Sequence, residues 1–120
     1  DLHRKTGLPT YRYYYEKPRP GNKGAVHSAE IEYAMGNLDG NKVFKWTEED
    51  YTVSKTMQAF FINFIKTGNP NGKGLPAWDA VQPSQGTSKV MHIHVKSQQQ
   101  DERHPGRYQV MDEFAMRARQ

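Results

Sequence analysis

The chain has 120 residues, 35% of them hydrophobic, with a mean hydropathy of −0.96, a net charge of +4, a pI near 9.3 and no cysteine. An apolar share below the about 45–50% of typical domains marks either one marginal domain or part of a larger one; without cysteine there is no disulfide, thiol nucleophile or thiolate metal site. No apolar run approaches the ~20 residues of a membrane span, and Lys and Arg are scattered among acids without an RNP-type or zinc-finger signature, which argues against nucleic acid.

Asp1-Leu2-His3-Arg4-Lys5 lacks the apolar segment that a signal peptide carries. Pro9 to Glu16 is rich in aromatics and predicts a strand, with Tyr11, Tyr13 and Tyr15 on one face. Pro18-Arg19-Pro20-Gly21-Asn22 ends it in a loop that runs to His27. A short helix is expected from Ser28, with Ser28 as N-cap and Ile31, Ala34, Met35 and Leu38 on its inner face; Gly36-Asn37 stops it. Leu38 to Trp46 reads as a linker. Thr47-Glu48-Glu49-Asp50 is a strong helix start, and the stripe Val53, Met57, Phe60, Phe61, Phe64, Ile65 carries the helix to Thr67, where Gly68 and Pro70 end it. Pro76 and Trp78 pin the following loop to the core. Lys89 to Val95 predicts a strand, with Met91, Ile93 and Val95 inward and His92 and His94 outward. Ser97 to Arg107 reads as a polar loop. Tyr108 to Arg119 closes the chain as a helix with Tyr108, Met111, Phe114, Ala115 and Ala118 on its buried side. These elements are too few to close a sheet, and fit an end segment of an α/β protein.

His27, at the end of a glycine-containing loop and just before a helix, is the outstanding candidate for chemistry. Imidazole can take and return a proton near neutral pH. A base needs a nucleophile, however, and none is convincing here. Ser28 is next to His27, but neighbours in sequence rarely face each other, and capping accounts for it better. Glu30, three residues on, is read as a supporting carboxylate in hydrogen bonds near the site. A rival constellation is His92-x-His94, whose imidazoles share one strand face and which Asp101, Glu102 and His104 could complete as a metal site.

Three segments in fixed order resemble the C-terminal region of the type-B carboxylesterase/cholinesterase family, which has the α/β-hydrolase fold. Gly24-Ala25-Val26-His27-Ser28-Ala29-Glu30-Ile31-Glu32-Tyr33 is similar to the family's catalytic-histidine motif, roughly Gly-x-x-His-x-x-Glu-Leu/Ile-x-Tyr/Phe-Val-Phe-Gly. Ser54 to Met57 through Asn63-Phe64-Ile65-Lys66-Thr67-Gly68-Asn69-Pro70-Asn71 is similar to its long helix and the exit from it. Leu75-Pro76-Ala77-Trp78 resembles the tryptophan segment that follows. Ala34-Met35 stands where the family usually has Val-Phe, a change of packing. The Gly-x-Ser-x-Gly nucleophile elbow is absent.

In this fold the chain order is Ser, then Asp or Glu, then His. The resemblance therefore implies that residues 1–120 are the C-terminal segment of a single α/β-hydrolase domain, incomplete and inactive alone. Serine, acid and oxyanion hole would lie upstream. It implies a carboxylic-ester hydrolase with His27 as general base and acid, Glu30 and Ser28 in support, and no cofactor or metal. The expected partners are a small-molecule ester and the upstream part of the same domain, with no nucleic acid and no membrane span. The lack of cysteine leaves the compartment open but makes a disulfide-bonded animal cholinesterase less expected than a bacterial-type relative, and the localisation leans to secreted or periplasmic. The alternatives are a catalytically silent, neuroligin-like binding protein of the same fold and the small metal-binding module.

Overall fold

The computed structural model describes residues 6–81 and 88–118. The expectation for Asp1 to Lys5 and the last residue of the expected C-terminal helix, Arg119, lie outside them. Parallel pairing needs a crossover between the paired strands, and the crossover organises this chain. Strand β1 (Tyr13–Tyr15) runs parallel to β2 (Lys89–Ile93), with Tyr13 opposite Met91 and Tyr15 opposite Ile93. Glu16 N–H donates to the Ile93 carbonyl at 2.9 Å and Met91 N–H to that of Arg12 at 2.9 Å, so the ladder extends past both ends of β1. Between these strands lie the short helix α1 (Ile31–Ala34), a single 3-10 turn (Leu38–Gly40) and the long helix α2 (Glu48–Thr67). After β2 come β3 (Gln98–Asp101) and helix α3 (Pro105–Arg117). The sheet order is β1-β2-β3, with β2 and β3 antiparallel.

Helix α2 forms where the sequence places it because both its ends are specified. Thr47 Oγ accepts from Asp50 N–H, and Asp50 accepts in return from Thr47 N–H at 2.8 Å, a reciprocal capping box. At the other end Gly68 adopts φ 74°, which a residue with a Cβ reaches only at a cost, and its N–H donates to the Phe64 carbonyl at 2.8 Å. Val53, Met57 and Phe60 face inward against Tyr33, Leu38, Trp78, Met91 and Ile93, and these residues are the core. Trp78 packs edge-on against Phe60 at 5.1 Å between centroids, which pins its loop as expected. The expected stripe fades at its end, where Phe64 and Ile65 are exposed.

Other expectations are corrected. The helix expected from Ser28 begins at Ile31, with Glu30 at the N-cap position and no side-chain cap; Ser28 itself has φ 61°. Of the residues expected on its inner face, Leu38 is buried beyond the helix and Ala34 packs against the core beside Tyr33, whereas Ile31 and Met35 are exposed. The polar stretch after Ser97 contains a third strand. Ser97 Oγ donates to the His94 carbonyl at 2.8 Å and turns the chain, so β2 ends at Ile93 and the glutamines of β3 pair through their backbone. Helix α3 starts earlier than expected because Pro105 occupies its first turn, a position that needs no N–H. None of its described residues is buried: Tyr108, Met111 and Phe114 are exposed. His92 does not point outward to solvent but is buried.

Candidate functional site

The His27 loop is built outward from two charged anchors. Lys17, just after β1, is buried and donates to Asp50 Oδ1 at 2.7 Å, tying the strand exit to the start of α2. Tyr33 Oη donates to the same oxygen at 2.7 Å, and Thr47 Oγ donates to Oδ2 at 2.7 Å. Burial alone raises the pKa of Asp50, but the hydrogen bonds from Lys17, Tyr33 and Thr47 outweigh it and hold the carboxyl below its ordinary range. Burial, and then the bond to Asp50, pushes the Tyr33 phenol up. Burial, followed by its neighbour Tyr33, does the same to Tyr15.

The second anchor is Arg19, whose position between Pro18 and Pro20 restricts its backbone. Its Nε and Nη2 donate to Glu32 Oε2 at 2.9 and 2.6 Å, and Nη2 also donates to the Ser28 carbonyl at 3.0 Å. Asn41 Nδ2 donates to the other oxygen of Glu32 at 2.6 Å, and Trp46 Nε1 donates to the Asn41 carbonyl at 3.0 Å. The Arg19 guanidinium lies over the Phe44 ring at 5.5 Å. Burial raises the pKa of Glu32, but the bonds from Asn41 and Arg19 and the Arg19 charge prevail and lower it.

Between these anchors the chain turns sharply. Ala29 N–H donates to the Val26 carbonyl at 3.1 Å, which puts His27 and Ser28 at the two central positions of the turn. The positive φ of Ser28 is what a type II turn requires at its second central position. For a residue with a Cβ this costs about 1–2 kcal/mol. Ser28 is therefore a turn residue and not the cap expected from sequence. His27 is exposed at the corner.

The structure holds His27, Ser28 and Glu30 on one short turn and helix start. Among the described residues no carboxylate forms an ion pair with His27. Glu30 is half-buried but makes no side-chain hydrogen bond or ion pair among the described residues, contrary to the hydrogen-bonding role expected of it; its charge helps burial raise the Tyr13 phenol. His27 lines neither of two cavities in the described structure. One, of ≈ 280 Å³, is apolar and lies between Tyr11, Tyr13, Phe61, Phe64 and Trp78. The other, of ≈ 260 Å³, includes Arg12, His92, Arg107 and Tyr108.

The rival metal site does not form. His92 is buried with its Nδ1 3.1 Å from Glu16 Oε2, too poorly aligned for a hydrogen bond, while His94 is exposed in the turn after β2. Glu102 pairs with Arg12 at 2.9 Å. Among the described residues no group of three or more His, Asp or Glu could hold a metal ion, and no helix is long and apolar enough to cross a membrane.

Sequence reasoning missed the two anchors. Arg19 carried a signal in its flanking prolines and Asp50 one as a capping residue of α2, but neither signal points to the partner across the fold, and Lys17 and Asn41 carried none that distinguishes them from surface polar residues.

The profile of the carboxylesterase family matches residues 1–111. Carboxylesterase 5A of Canis lupus familiaris is 39% identical over 94 residues, 69% of this chain and 16% of that protein. Carboxylesterase 1F of Mus musculus is 35% identical over 107 residues, 81% of this chain and 18% of that protein. Among solved structures, a PNB esterase superposes with a TM-score of 0.72 at 26% identity, covering 84% of this chain and 21% of that one. The carboxylesterase EST55 of Geobacillus stearothermophilus does so with a TM-score of 0.70 at 26% identity, covering 89% and 22%. The chain thus spans between 16% and 22% of the length of these relatives. Its three strands and three helices are a portion of the α/β-hydrolase fold those structures share.

Proposed function

The chain belongs to the carboxylesterase family, and from that premise we propose that it forms the C-terminal part of a serine carboxylic-ester hydrolase, to which it contributes the general base, His27. The nucleophilic serine, the triad acid and the oxyanion hole come from upstream residues, because in this fold the histidine follows both partners in the chain. His27 accepts the serine hydroxyl proton as that oxygen attacks the ester carbonyl. The imidazolium then protonates the departing alkoxide, leaving an acyl-serine. In the second half His27 takes a proton from water, whose oxygen attacks the acyl carbon, and returns it to the serine.

The observation that carries this reading is the presentation of His27. The imidazole stands exposed at the corner of a turn closed by the Ala29 to Val26 hydrogen bond, with the following helix docked on the core through Tyr33. Ser28 supports it by occupying the left-handed turn position. Glu30 supports it as a carboxylate at the start of α1, three residues after His27. The substrate is a small-molecule ester, and no cofactor takes part.

The test is His27→Ala in the intact protein, with hydrolysis of a short-acyl nitrophenyl ester as readout. Turnover falls by roughly 10³-fold or more, as expected for loss of a triad member. Near wild-type turnover would overturn the assignment.

A further inference from the structure

We propose that Arg19 is a positioning residue for His27, its guanidinium locking the Ser28 carbonyl and thereby the direction in which the turn presents the imidazole. This rests on the reading of His27 as the general base. The Ser28 carbonyl belongs to the peptide unit that follows the turn's central residues, three rotatable backbone bonds from the His27 Cα. In a free loop, a serine at φ 61° would relax to the favourable side of conformational space. Here three bonds block that relaxation: Ala29 N–H to the Val26 carbonyl, a long Ile31 N–H to the Ser28 carbonyl at 3.4 Å, and the shorter Arg19 Nη2 to the same carbonyl at 3.0 Å.

The clamp is itself held rigid. Glu32 Oε2 receives both Nε and Nη2 of Arg19, while Oε1 is taken by Asn41, so the carboxylate cannot rotate away. Both side chains of the Arg19–Glu32 pair are 17% exposed, well shielded from the solvent competition that weakens surface pairs. The depressed pKa of Glu32 keeps it ionised in service. A guanidinium is needed because one group must serve a carboxylate and a carbonyl at once in a fixed plane. A lysine ammonium is a point charge without that fork. Arg19 contacts Glu32, the Ser28 carbonyl and the Phe44 ring but not the imidazole, so its effect on His27 passes through the turn.

Misplacing a catalytic group by about an ångström costs on the order of 10²-fold in rate. The experiment uses the intact esterase with Arg19→Gln and Arg19→Lys. Active sites are counted by the burst of nitrophenol on acylation, and kcat per counted site is compared with KM. Arg19→Gln lowers kcat per site by roughly 10- to 100-fold with KM within about two-fold, and Arg19→Lys falls between it and the wild type. Adding Ser28→Gly to Arg19→Gln recovers part of the loss, because glycine holds the left-handed position without the clamp. Unchanged kcat per site in Arg19→Gln, or in Arg19→Lys should the first not fold, overturns the proposal even if thermal stability drops. If His27→Ala is also fully active, the reading of His27 fails first; if His27→Ala is inactive and Arg19→Gln is not impaired, only the positioning role fails.

Discussion

Replacing Asp50 by Asn tests whether the buried charge beside the His27 loop organises it. The substitution keeps shape and volume. In the wild type, Oδ1 receives Lys17 Nζ and Tyr33 Oη, and Oδ2 receives Thr47 N–H and Oγ–H, so both oxygens are surrounded by donors. An amide has one acceptor oxygen, and its NH2 must confront donors on one side or the other. The Lys17 ammonium, in a residue only 8% exposed, also loses its counter-charge. Breaking a buried pair from one side costs about 3–5 kcal/mol, a large part of the ~5–15 kcal/mol that stabilises a domain. With a urea slope of ~1–3 kcal/mol per molar, the unfolding midpoint falls by roughly 1–5 M. Trp46 packs edge-on against Tyr33 at 5.7 Å between centroids, and its fluorescence reports the transition. Most of this cost is the orphaned ammonium, so adding Lys17→Met to Asp50→Asn restores part of the midpoint, and the double-mutant cycle gives a coupling of about 2 kcal/mol. A loss below about 1 kcal/mol in Asp50→Asn, or strict additivity in the cycle, would refute the reasoning.

Stability is also expected to depend on pH from both sides. Asp50, Glu32 and Glu102 have depressed native pKa values, so their contribution is fully present above the unfolded carboxyl range and is lost as pH falls below about 4. Tyr15 and Tyr33 have raised values, so their contribution is present below about pH 10 and is lost above it as the unfolded phenols ionise. Thermal midpoints measured across pH check both limbs, and a flat profile between pH 2 and 4 contradicts the first. Gly68→Ala costs about 1–2 kcal/mol in urea unfolding: a Cβ there meets nothing within 4 Å, so the whole penalty is the φ of 74°. The 120 residues alone hydrolyse no nitrophenyl ester above a His27→Ala control, and turnover by the purified chain would place the nucleophile within it.

The long helix α2 was legible because its signals are local: a capping box at Thr47 and Asp50, an apolar period, and Gly68 to stop it. The strands β1 and β2 were legible from aromatic and β-branched content, although β1 covers only Tyr13–Tyr15 of the expected Pro9 to Glu16 and the alternation that put His92 outward failed because β2 is covered on both faces. Strand β3 was not, since Gln98 to Gln100 carry no apolar pattern and pair at a sheet edge through backbone groups that every residue shares. Ser28 misled for a related reason. Serine before a helix ordinarily caps it, but Arg19, nine residues earlier, captures its carbonyl and the turn takes its φ. The histidine of the candidate site could be picked out from its motif. Its supports could not, because the Arg19–Glu32–Asn41 and Lys17–Asp50–Tyr33 networks join residues 9 to 33 positions apart. Such pairings depend on the crossover geometry and leave no spacing rule in the chain. The exposed apolar face of α3 has no cause visible within the described residues.

The central claim is that His27 removes the serine proton during acylation. Rapid mixing of the intact His27→Ala protein with a nitrophenyl ester measures that step directly, before deacylation or product release intervenes. The account predicts that the nitrophenol burst of the wild type disappears and that acylation slows by roughly 10³-fold or more. A burst of wild-type rate and amplitude in His27→Ala would contradict it.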